Sequence, residues 1–587
     1  MAYHILGVSA HYHNAAACLM RGGELVAAAE EERFSRIKHD PSMPKAAIRF
    51  CLQQARLAIT DIHCVAWYEL PWKKLGRQLW MGLPGFSRNP DEIQRMDPHR
   101  PEREIREILG FSGPIEYIEH HLAHAASAYY FSGFQEAAIL TVDGVGEWAT
   151  TSYGRGEQQN LELFEEVEFP NSIGLLYSTI TSYLGFRVNG GEYKVMGLAP
   201  YGQPRYVDTL RATLQEETGG QYRLDMRYFD FLKNERMYSD ALIDAFGTPP
   251  RKPETELKPF HMDVARSLQV VLEEILLAKT RYLHTRVPSQ NLCLAGGVAL
   301  NCVANRHVHA HGPFKNLFVQ PAANDAGGAL GAAAMAHRRR CESSIPTQRM
   351  SQVFLGPAYS NDEIHRILAT TPLHFEDFRG RSEALFNKVA AAIDSGKVAG
   401  WFQGRMEFGP RALGARSILA DPRNPNMRDH INALVKKREA FRPFAPSVLE
   451  ENMGDHFDLQ HPSPFMLETC QVKSPLNMPA ITHVDASARV QTVNAQENPR
   501  YAALLRAFFQ RTGCPILLNT SFNMRSEPIV CSPLHALSCF VRSEIDLLVL
   551  EDFFIEKGAI PDFWKQALEI IEKNTNPAIT HRVYTFF

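Results

Sequence analysis

No run of about 18 uncharged apolar residues occurs in this 587-residue chain, so no membrane span is expected. Cysteine is sparse and scattered: there are 10, and none forms a C-x-x-C pair. Neither a zinc ribbon nor a disulfide framework is suggested, and a reducing cytoplasm is the default location. There is no excess of basic charge. The formal net charge is -3, too little positive field to expect a nucleic-acid partner. The opening "MAYHILGVSAHYHNAAACLM" lacks the charged head and apolar core of a signal peptide. Short-period repeats and low-complexity tracts are missing as well. What remains is ordinary globular composition, 45% hydrophobic and 22% charged. The length exceeds one hydrophobic core, so two or three domains are expected.

Periodicity predicts the elements. "YHILGVSAH", "AACLMRGG" and "ELVAAAEEERF" read as three short strands, with Gly22-Gly23 marking a hairpin turn. "PKAAIRFCLQQARL" reads as a helix and "CVAWYEL" as a strand. A Pro- and Trp-rich loop is expected near 71–101, then a helix in "PEREIREILGF". "EAAILTVDGVGEWATTSYGRG" is an apolar strand ending in Asp-Gly, followed by a second strand. "NLCLAGGVALNCVANRHV" and "NLFVQPAANDAGGALGAAAMAHRRR" each read as strand, Gly-rich turn and helix. Strands that run into Gly-rich turns and helices suggest an α/β core with its site at the strand ends. The early meander and the later Asp-Gly strand pair fit a duplicated actin-like or sugar-kinase-like core. The polar segment 338–352 is the best linker, and a second domain is expected from about 353 onward.

Four constellations carry chemistry. In "IEHHLAHAASAYY", His120 and His124 are four apart, which puts both imidazoles on one helix face. Such a pair can hold a transition metal if carboxylates arrive from elsewhere, and Asp143 and Asp325 are the candidates. Two His and two Asp favour Fe(II), Mn(II) or Zn(II). Capping or core histidines are the alternative, and His121 points away. The second constellation is the set of Gly-rich turns "DGVGEW", "LAGGVALN" and "DAGGALG". Their backbone N–H groups can approach a phosphate, although close helix–strand packing selects glycine too. The third, "EERFSRIKHD" with Lys38, reads on its own as a charged surface. The fourth is the densest. "GRMEFGPRALGARSILADPR" and "VKKREAFRPFAPS" hold Arg405, Arg411, Arg416, Lys436, Arg438 and Arg442 among Gly and Pro. Arginine forks suit phosphate oxygens. "LLNTSFN" adds Asn519, Thr520, Ser521 and Asn523 as a hydrogen-bonding edge after an apolar strand.

Taken in order, "EERFSRIKHD", "HHLAHAASAYY", "DGVGEW", "GGEYKVMGLAPYG", "LAGGVALN", "GRMEFGPRALGARSILADPR", "VKKREAFRPFAPSVL", "ARVQTV" and "NTSFN" resemble the O-carbamoyltransferases of the NodU/CmcH family over nearly the whole chain. The resemblance implies an N-terminal ASKHA domain, actin-like and threonylcarbamoyl-transferase-like, over 1–345. It implies a YrdC-like α/β domain over 353–587, whose last helices are left free to pack back on the first domain. The second domain would join ATP, with Mg²⁺, and carbamoyl phosphate into carbamoyl-adenylate, releasing pyrophosphate. The first would transfer the carbamoyl group to an acceptor hydroxyl, releasing AMP. His120, His124, Asp143 and Asp325 would hold a divalent metal, Fe²⁺ favoured. Gly144, Gly146, Gly296, Gly297 and Asn301 would line the nucleotide phosphate there, with His13 and Lys38 as the catalytic pair and His13 as general base. Arg411, Arg416, Lys436, Arg438, Arg442, Arg489, Asn519, Ser521 and Asn523 would bind ATP and carbamoyl phosphate.

The chain departs from the family's usual text at Asn14, at Ala415, at Ala486-Ser487 where Gly-Thr is usual, and at Ser526 where Gly is common. Serine tolerates positive φ less well than glycine, so a reshaped loop is expected at 526. The acceptor is expected to be a small hydroxylated molecule, such as an antibiotic sugar, a polyketide, a Nod factor or a toxin alcohol. Its pocket is expected in the loops near 70–101 and 203–260. No nucleic acid or membrane partner is expected, and a homodimer is compatible with the reading. Three rivals remain. A tRNA threonylcarbamoyl-transfer enzyme fits poorly with near-neutral charge. A hydrogenase-maturation carbamoyltransferase would carry C-x-x-C pairs. A non-catalytic nucleotide-binding actin-like protein would not need the Arg-rich loops.

Overall fold

The computed structural model describes residues 3–81, 96–232, 236–341, 344–436 and 439–566, apart from 440, 562 and 565. The expected last helices lie mostly outside these residues. The chain divides into two units: Met1–Glu31 with His39–Met350, and Glu32–Lys38 with Ser351–His581.

The first unit is built on two five-stranded sheets. In the first, β1 (His4–Ser9), β2 (Ala16–Arg21) and β3 (Glu24–Glu30) form an antiparallel meander. β4 (Cys64–Trp67) and β5 (Ile115–Tyr117) add in parallel, giving the order β3-β2-β1-β4-β5. The Gly22-Gly23 pair turns the first hairpin with φ of 56° and 92°, a conformation that favours glycine. The second sheet repeats this plan. β6 (Glu136–Val142), β7 (Ala149–Glu157) and β8 (Asn160–Glu168) form the meander. A small separate hairpin, β9 (Leu214–Glu216) and β10 (Tyr222–Leu224), follows. β11 (Asn291–Ala295) and β12 (Asn316–Val319) then add in parallel, giving β12-β11-β6-β7-β8. This is a mixed α/β unit with the duplicated topology expected of an actin-like core.

Two helices matter most for the site: His120–Tyr129 and Asp325–Arg340. The first is rich in Ala and the second in Ala and Gly, so they pack closely. A Cβ on Gly331 would lie 1.7 Å from the carbonyl oxygen of Ala123, which no side chain can tolerate. The contact carries His120 and His124 up to the start of the helix that begins at Asp325.

One sequence expectation is corrected. The stretch from Pro71 to Trp80 is a helix, not a loop. Pro71 opens it at the first position, where proline is well tolerated, and so starts a helix it seemed to break. Residues 82–95 of the same expected loop lie outside the described residues.

The second unit holds an eight-stranded mixed sheet. Its strands are β13 (Glu376–Asp377), β14 (Ala399–Phe402), β15 (Arg416–Ala420), β16 (Ala445–Leu449), β19 (Gln491–Val493), β20 (Ile516–Ser521), β21 (Leu547–Leu550) and β22 (Phe553–Glu556). The order is β13-β22-β21-β14-β15-β20-β16-β19, and β17 (Cys470–Gln471) pairs separately with β18 (Ser487–Ala488). Helices Ser382–Asp394 and Pro499–Thr512 pack on its apolar face. Asn519, Thr520 and Ser521, expected to follow a strand, lie within one, β20, and Asn523 follows it as expected. Among the described residues no helix is long and apolar enough to cross a membrane.

Candidate metal centre and arginine-rich loops

The turn after β6 and the N-termini of the two Ala/Gly-rich helices converge. Glu147, buried, accepts from the backbone N–H of His120 at 3.0 Å and of Leu70 at 2.6 Å. It thus holds the N-terminus of the histidine helix, a carboxylate where the helix dipole favours one. A Cβ on Gly146 would stand 3.0 Å from the His120 ring. Gly297 N–H donates to Asp143 Oδ1 at 3.0 Å, and a Cβ on Gly297 would sit 2.8 Å from that oxygen. The glycines of both strand ends therefore admit the cluster.

His120, His124, Asp143 and Asp325 are all buried, and one ligand atom from each lies within 4.8 Å of the others. His120 Nε2 is 3.0 Å from Asp143 Oδ2, and His124 Nε2 is 3.3 Å from the same oxygen. The two Nε2 atoms are 3.1 Å apart. Two nitrogens each about 2.1 Å from one ion stand roughly 3.0–3.4 Å apart. Asp325 is 1% exposed, yet neither of its oxygens has a hydrogen-bond partner among the described residues. His13 Nδ1, His124 Nε2 and His120 Nε2 stand 3.6, 3.8 and 3.9 Å from it, beyond hydrogen-bond reach. A buried carboxylate left so is costly unless a cation completes it. The donor set of two imidazoles and two carboxylates fits a divalent transition metal.

Electrostatics agrees with the geometry. Burial alone would push the imidazoles down, but Asp143 and Asp325 raise His120 and lift His124 to about 9. Burial pushes the carboxyls up, yet the imidazoles hold Asp143 and Asp325 below the usual carboxylate range. His121 is different. Burial and its two histidine neighbours drive it well down, and its Nδ1 meets Thr141 Oγ1 at 2.7 Å. It is a neutral packing residue, as its direction on the helix implied.

Of the remaining first-unit candidates, His13 stands beside Asp325, with about 20% of its side chain exposed. Gly144, Gly146, Gly296 and Gly297 line the neighbouring ends of β6 and β11, which pair in parallel. Asn301 caps helix Cys302–His311 through Ala304 N–H at 3.0 Å and exchanges hydrogen bonds with Gln269. Lys38 falls on the Glu32–Lys38 segment that packs with the second unit.

In the second unit, β15 and β16 both flank β20, which brings Arg416, Asn519 and Ser521 onto neighbouring strands. The loop between β14 and β15, which carries Arg411, is pinned from within. Buried Glu407 Oε1 accepts from the N–H groups of Leu413, Ala415 and Arg416 at 2.8, 2.7 and 3.2 Å. Asn519 and Gln491 donate to the carbonyls of Ala412 and Leu413 at 3.2 and 2.8 Å. Trp401 Nε1 donates to Gly414 O at 3.0 Å.

Arg416 does not face an open site. It is 0% exposed, stacks 3.6 Å from the Phe402 ring centre, and donates to four carbonyls. These belong to Gln403, Ala415, Pro357 and Gly404, at 2.8–3.1 Å. Its occupation here is to hold the loop. Ser521 Oγ donates to Asn523 Oδ1 at 2.6 Å, and Asn523 Nδ2 donates to Glu527 O at 2.7 Å, closing the next loop. Arg442 pairs with Glu439 at 3.7 Å. Arg411 and Arg489 are half-buried. Arg438 and the side chain of Lys436 lie outside the described residues. Sequence reasoning missed Glu147 and Glu407, the two buried carboxylates that organise these loops. The only signal was an acid soon after glycine in each motif.

Comparison with known proteins places the chain. The carbamoyltransferase N-terminus model matches residues 4–78 and 104–334, and the carbamoyltransferase C-terminus model matches 390–557. An uncharacterized protein of Synechocystis is 44% identical over 97% of this chain and 100% of its own length. Nodulation protein NolNO of Sinorhizobium fredii is 38% identical, covering 94% of this chain and 80% of its own. Nodulation protein NolO of Bradyrhizobium diazoefficiens is 40% identical, covering 75% and 79%. With both family models matched across a chain that also carries the buried His/Asp cluster, this protein belongs to the carbamoyltransferase family and is a carbamoyltransferase enzyme.

Proposed function

We propose that the protein is an ATP-dependent O-carbamoyltransferase acting on a hydroxyl of a small, natural-product-like acceptor. The observation that carries the transfer half is the buried His120, His124, Asp143 and Asp325 cluster, in which neither Asp325 oxygen has a hydrogen bond among the described residues. When bound there, a divalent ion, Fe²⁺ being favoured, supplies Lewis-acid charge stabilisation. The chain's own residues do the rest. Gly144, Gly146, Gly296 and Gly297 leave room at the strand ends for the adenylate phosphate. His13, whose Nδ1 stands 3.6 Å from Asp325, is the imidazole beside the cluster that would take the hydroxyl proton.

The second unit, YrdC-like in this reading, forms the adenylate. Carbamoyl phosphate, ATP and water give carbamoyl-adenylate, pyrophosphate and phosphate. The acceptor oxygen then bonds to the carbamoyl carbon, AMP leaves with the old C–O electrons, and the hydroxyl proton departs through His13. Arg411, Lys436, Arg438, Arg442 and Arg489 offset the repulsion of the two polyanions. Asn519, Ser521 and Asn523 edge that pocket, and Arg416 fixes its floor. ATP enters with Mg²⁺, and the reaction belongs in the cytoplasm where both substrates are made.

The test mixes protein, ATP, Mg²⁺ and carbamoyl phosphate and follows pyrophosphate, then adds candidate alcohols. The expected result is carbamoyl-phosphate-dependent pyrophosphate release, lost in Arg411→Ala, and a product heavier by one carbamoyl group in place of a proton. Silence with a broad pool of hydroxylated metabolites would favour the non-catalytic nucleotide-binding reading. Carbamoyl transfer to a tRNA-bound substrate alone would favour the threonylcarbamoyl-type enzyme.

A further inference from the structure

The segment Glu32–Lys38 belongs by its contacts to the second unit, although the residues on both sides of it belong to the first. Its bonds fall on two loops. Arg33 Nη2 donates to Gly409 O at 2.8 Å, across 376 positions of sequence. Arg36 forks, with Nη1 to Ile529 O and Nη2 to Pro528 O, both at 2.7 Å. Between them Phe34 packs on a small apolar cluster of Met406, Ala412, Ile529 and Cys531. Arg33 is buried, and burial also lowers the Arg36 guanidinium's pKa. Arg33 Nη1 also donates to Glu32 Oε1 at 2.7 Å, so Arg33 is a buried cation held by a carboxylate and a carbonyl, and Arg36 is held by two carbonyls.

The two loops so clamped are those that carry the candidate polyanion ligands. Gly409 is two residues from Arg411. Pro528 and Ile529 close the loop that begins at Ser521 and Asn523, and Val530 N–H returns to Phe522 O at 2.9 Å. Phe522 N–H donates to Arg416 O at 3.0 Å, so the loops are also joined to each other. Each loop contains a left-handed residue, Gly409 at φ 121° and Ser526 at φ 69°. Non-glycine residues there persist only when their surroundings hold them. Arg36 itself has φ 61° and His39 φ 58°.

We propose that Arg33 and Arg36 are positioning residues for the adenylate-forming half-reaction: a segment from the N-terminal part of the chain completes the second unit's site. A fork to two adjacent carbonyls needs the planar guanidinium, which an ammonium cannot reproduce. The inference rests on the reading of the second unit as the adenylate-forming one.

The test uses the full chain with Arg36→Ala and Arg36→Lys. Pyrophosphate release in Arg36→Ala is expected to fall about a hundredfold in kcat, the usual scale for a small misplacement of binding groups. Arg36→Lys falls less, and ethylguanidinium restores part of the Arg36→Ala loss. Hydrogen exchange should rise in 405–413 and 524–531 and stay unchanged in 120–129. Release within twofold of the parent, or exchange that rises everywhere alike, overturns the proposal. If the parent itself releases no pyrophosphate, the adenylation reading fails. Exchange then decides alone: a confined rise keeps the clamp, and no rise removes it.

Discussion

His120–Asp143–Asp325 and Arg416 are both charged constellations buried among glycines, yet they differ in what they lack. Arg416 has four carbonyl acceptors and an aromatic face. Asp325 has two oxygens and, among the described residues, no hydrogen-bond partner for either. Burying a charge is tolerable only when it is paired or solvated by fixed dipoles. Arg416 meets that condition within the protein, so it holds structure. Asp325 has only the charge of imidazoles 3.6–3.9 Å away and no hydrogen bond among the described residues, so it has room for a ligand. Burial and charge alone do not separate a site from a scaffold: among the described residues Arg416 lacks a partner only at Nε while both its terminal nitrogens are bonded, whereas Asp325 has neither oxygen bonded.

The contrast breaks most sharply at Asp325. Asp325→Asn removes charge without volume, and carbamoyl transfer should drop on the order of a thousandfold, several kcal/mol of transition-state stabilisation. Carbamoyl-phosphate-dependent pyrophosphate release should persist. Steady-state assays of the two half-reactions would show whether they separate.

Arg416→Met tests the other side. The carbonyls of Ala415 and Pro357 keep the N–H groups of Gln403 and Met406, but those of Gln403 and Gly404 lose the guanidinium, each worth about 1–3 kcal/mol when buried unsatisfied. A loss of roughly 4 kcal/mol in denaturant unfolding is expected, with phosphate-ligand behaviour secondary. A stable Arg416→Met protein with selectively weakened ATP binding would return the residue to the polyanion pocket.

Lys279 sharpens the comparison with a third buried cation. It is 0% exposed, donates to Tyr153 Oη at 3.0 Å and lies over the Tyr222 ring. Arginine cannot shed its proton but lysine can, and burial lowers Lys279 to about 7, with Glu165 only partly opposing. Unfolded, it keeps its proton up to its ordinary value of 10.5. The unfolded state thus binds more protons between those values. Stability should fall as pH drops from about 10.5 to about 7, and level off below. Lys279→Met should remove that slope and add a few kcal/mol at pH 7, read from urea unfolding at several pH values.

The smallest effects belong to the departures from the family text. Ala486 and Ser526, where glycine is usual, have φ of 61° and 69°. Left-handed backbone costs a non-glycine residue about 1 kcal/mol, and glycine returns most of that in chain entropy. Ala486→Gly and Ser526→Gly should therefore shift unfolding by less than about 1 kcal/mol. A larger gain would show that the substitutions strain these loops.

These residues also show what the sequence could and could not disclose. The His120/His124 spacing was legible because a helix repeats every 3.6 residues, and the strand-end acids were legible by their Asp-Gly context. The contact of Gly331 with Ala123 that brings the two helices together was not, since it depends on tertiary packing. Arg416 read like its neighbour Arg411 because a run of arginines in glycine-rich loops does not say which one turns inward. The Pro71–Trp80 helix was hidden by the same proline that starts it. The meander at the N-terminus was visible in the alternation of short strands with Gly22-Gly23. Its repetition was legible in the later Asp-Gly strand pair, and the parallel pairing of β11 and β12 beside β6 completes it.

The most direct test is elemental analysis of the purified protein, alongside its Asp325→Asn variant, after anaerobic loading with Fe²⁺ and removal of free ion. The account predicts one tightly held divalent ion per chain in the parent and its loss in the variant. Equal metal content in both, or full carbamoyl transfer by a metal-free parent, would contradict it.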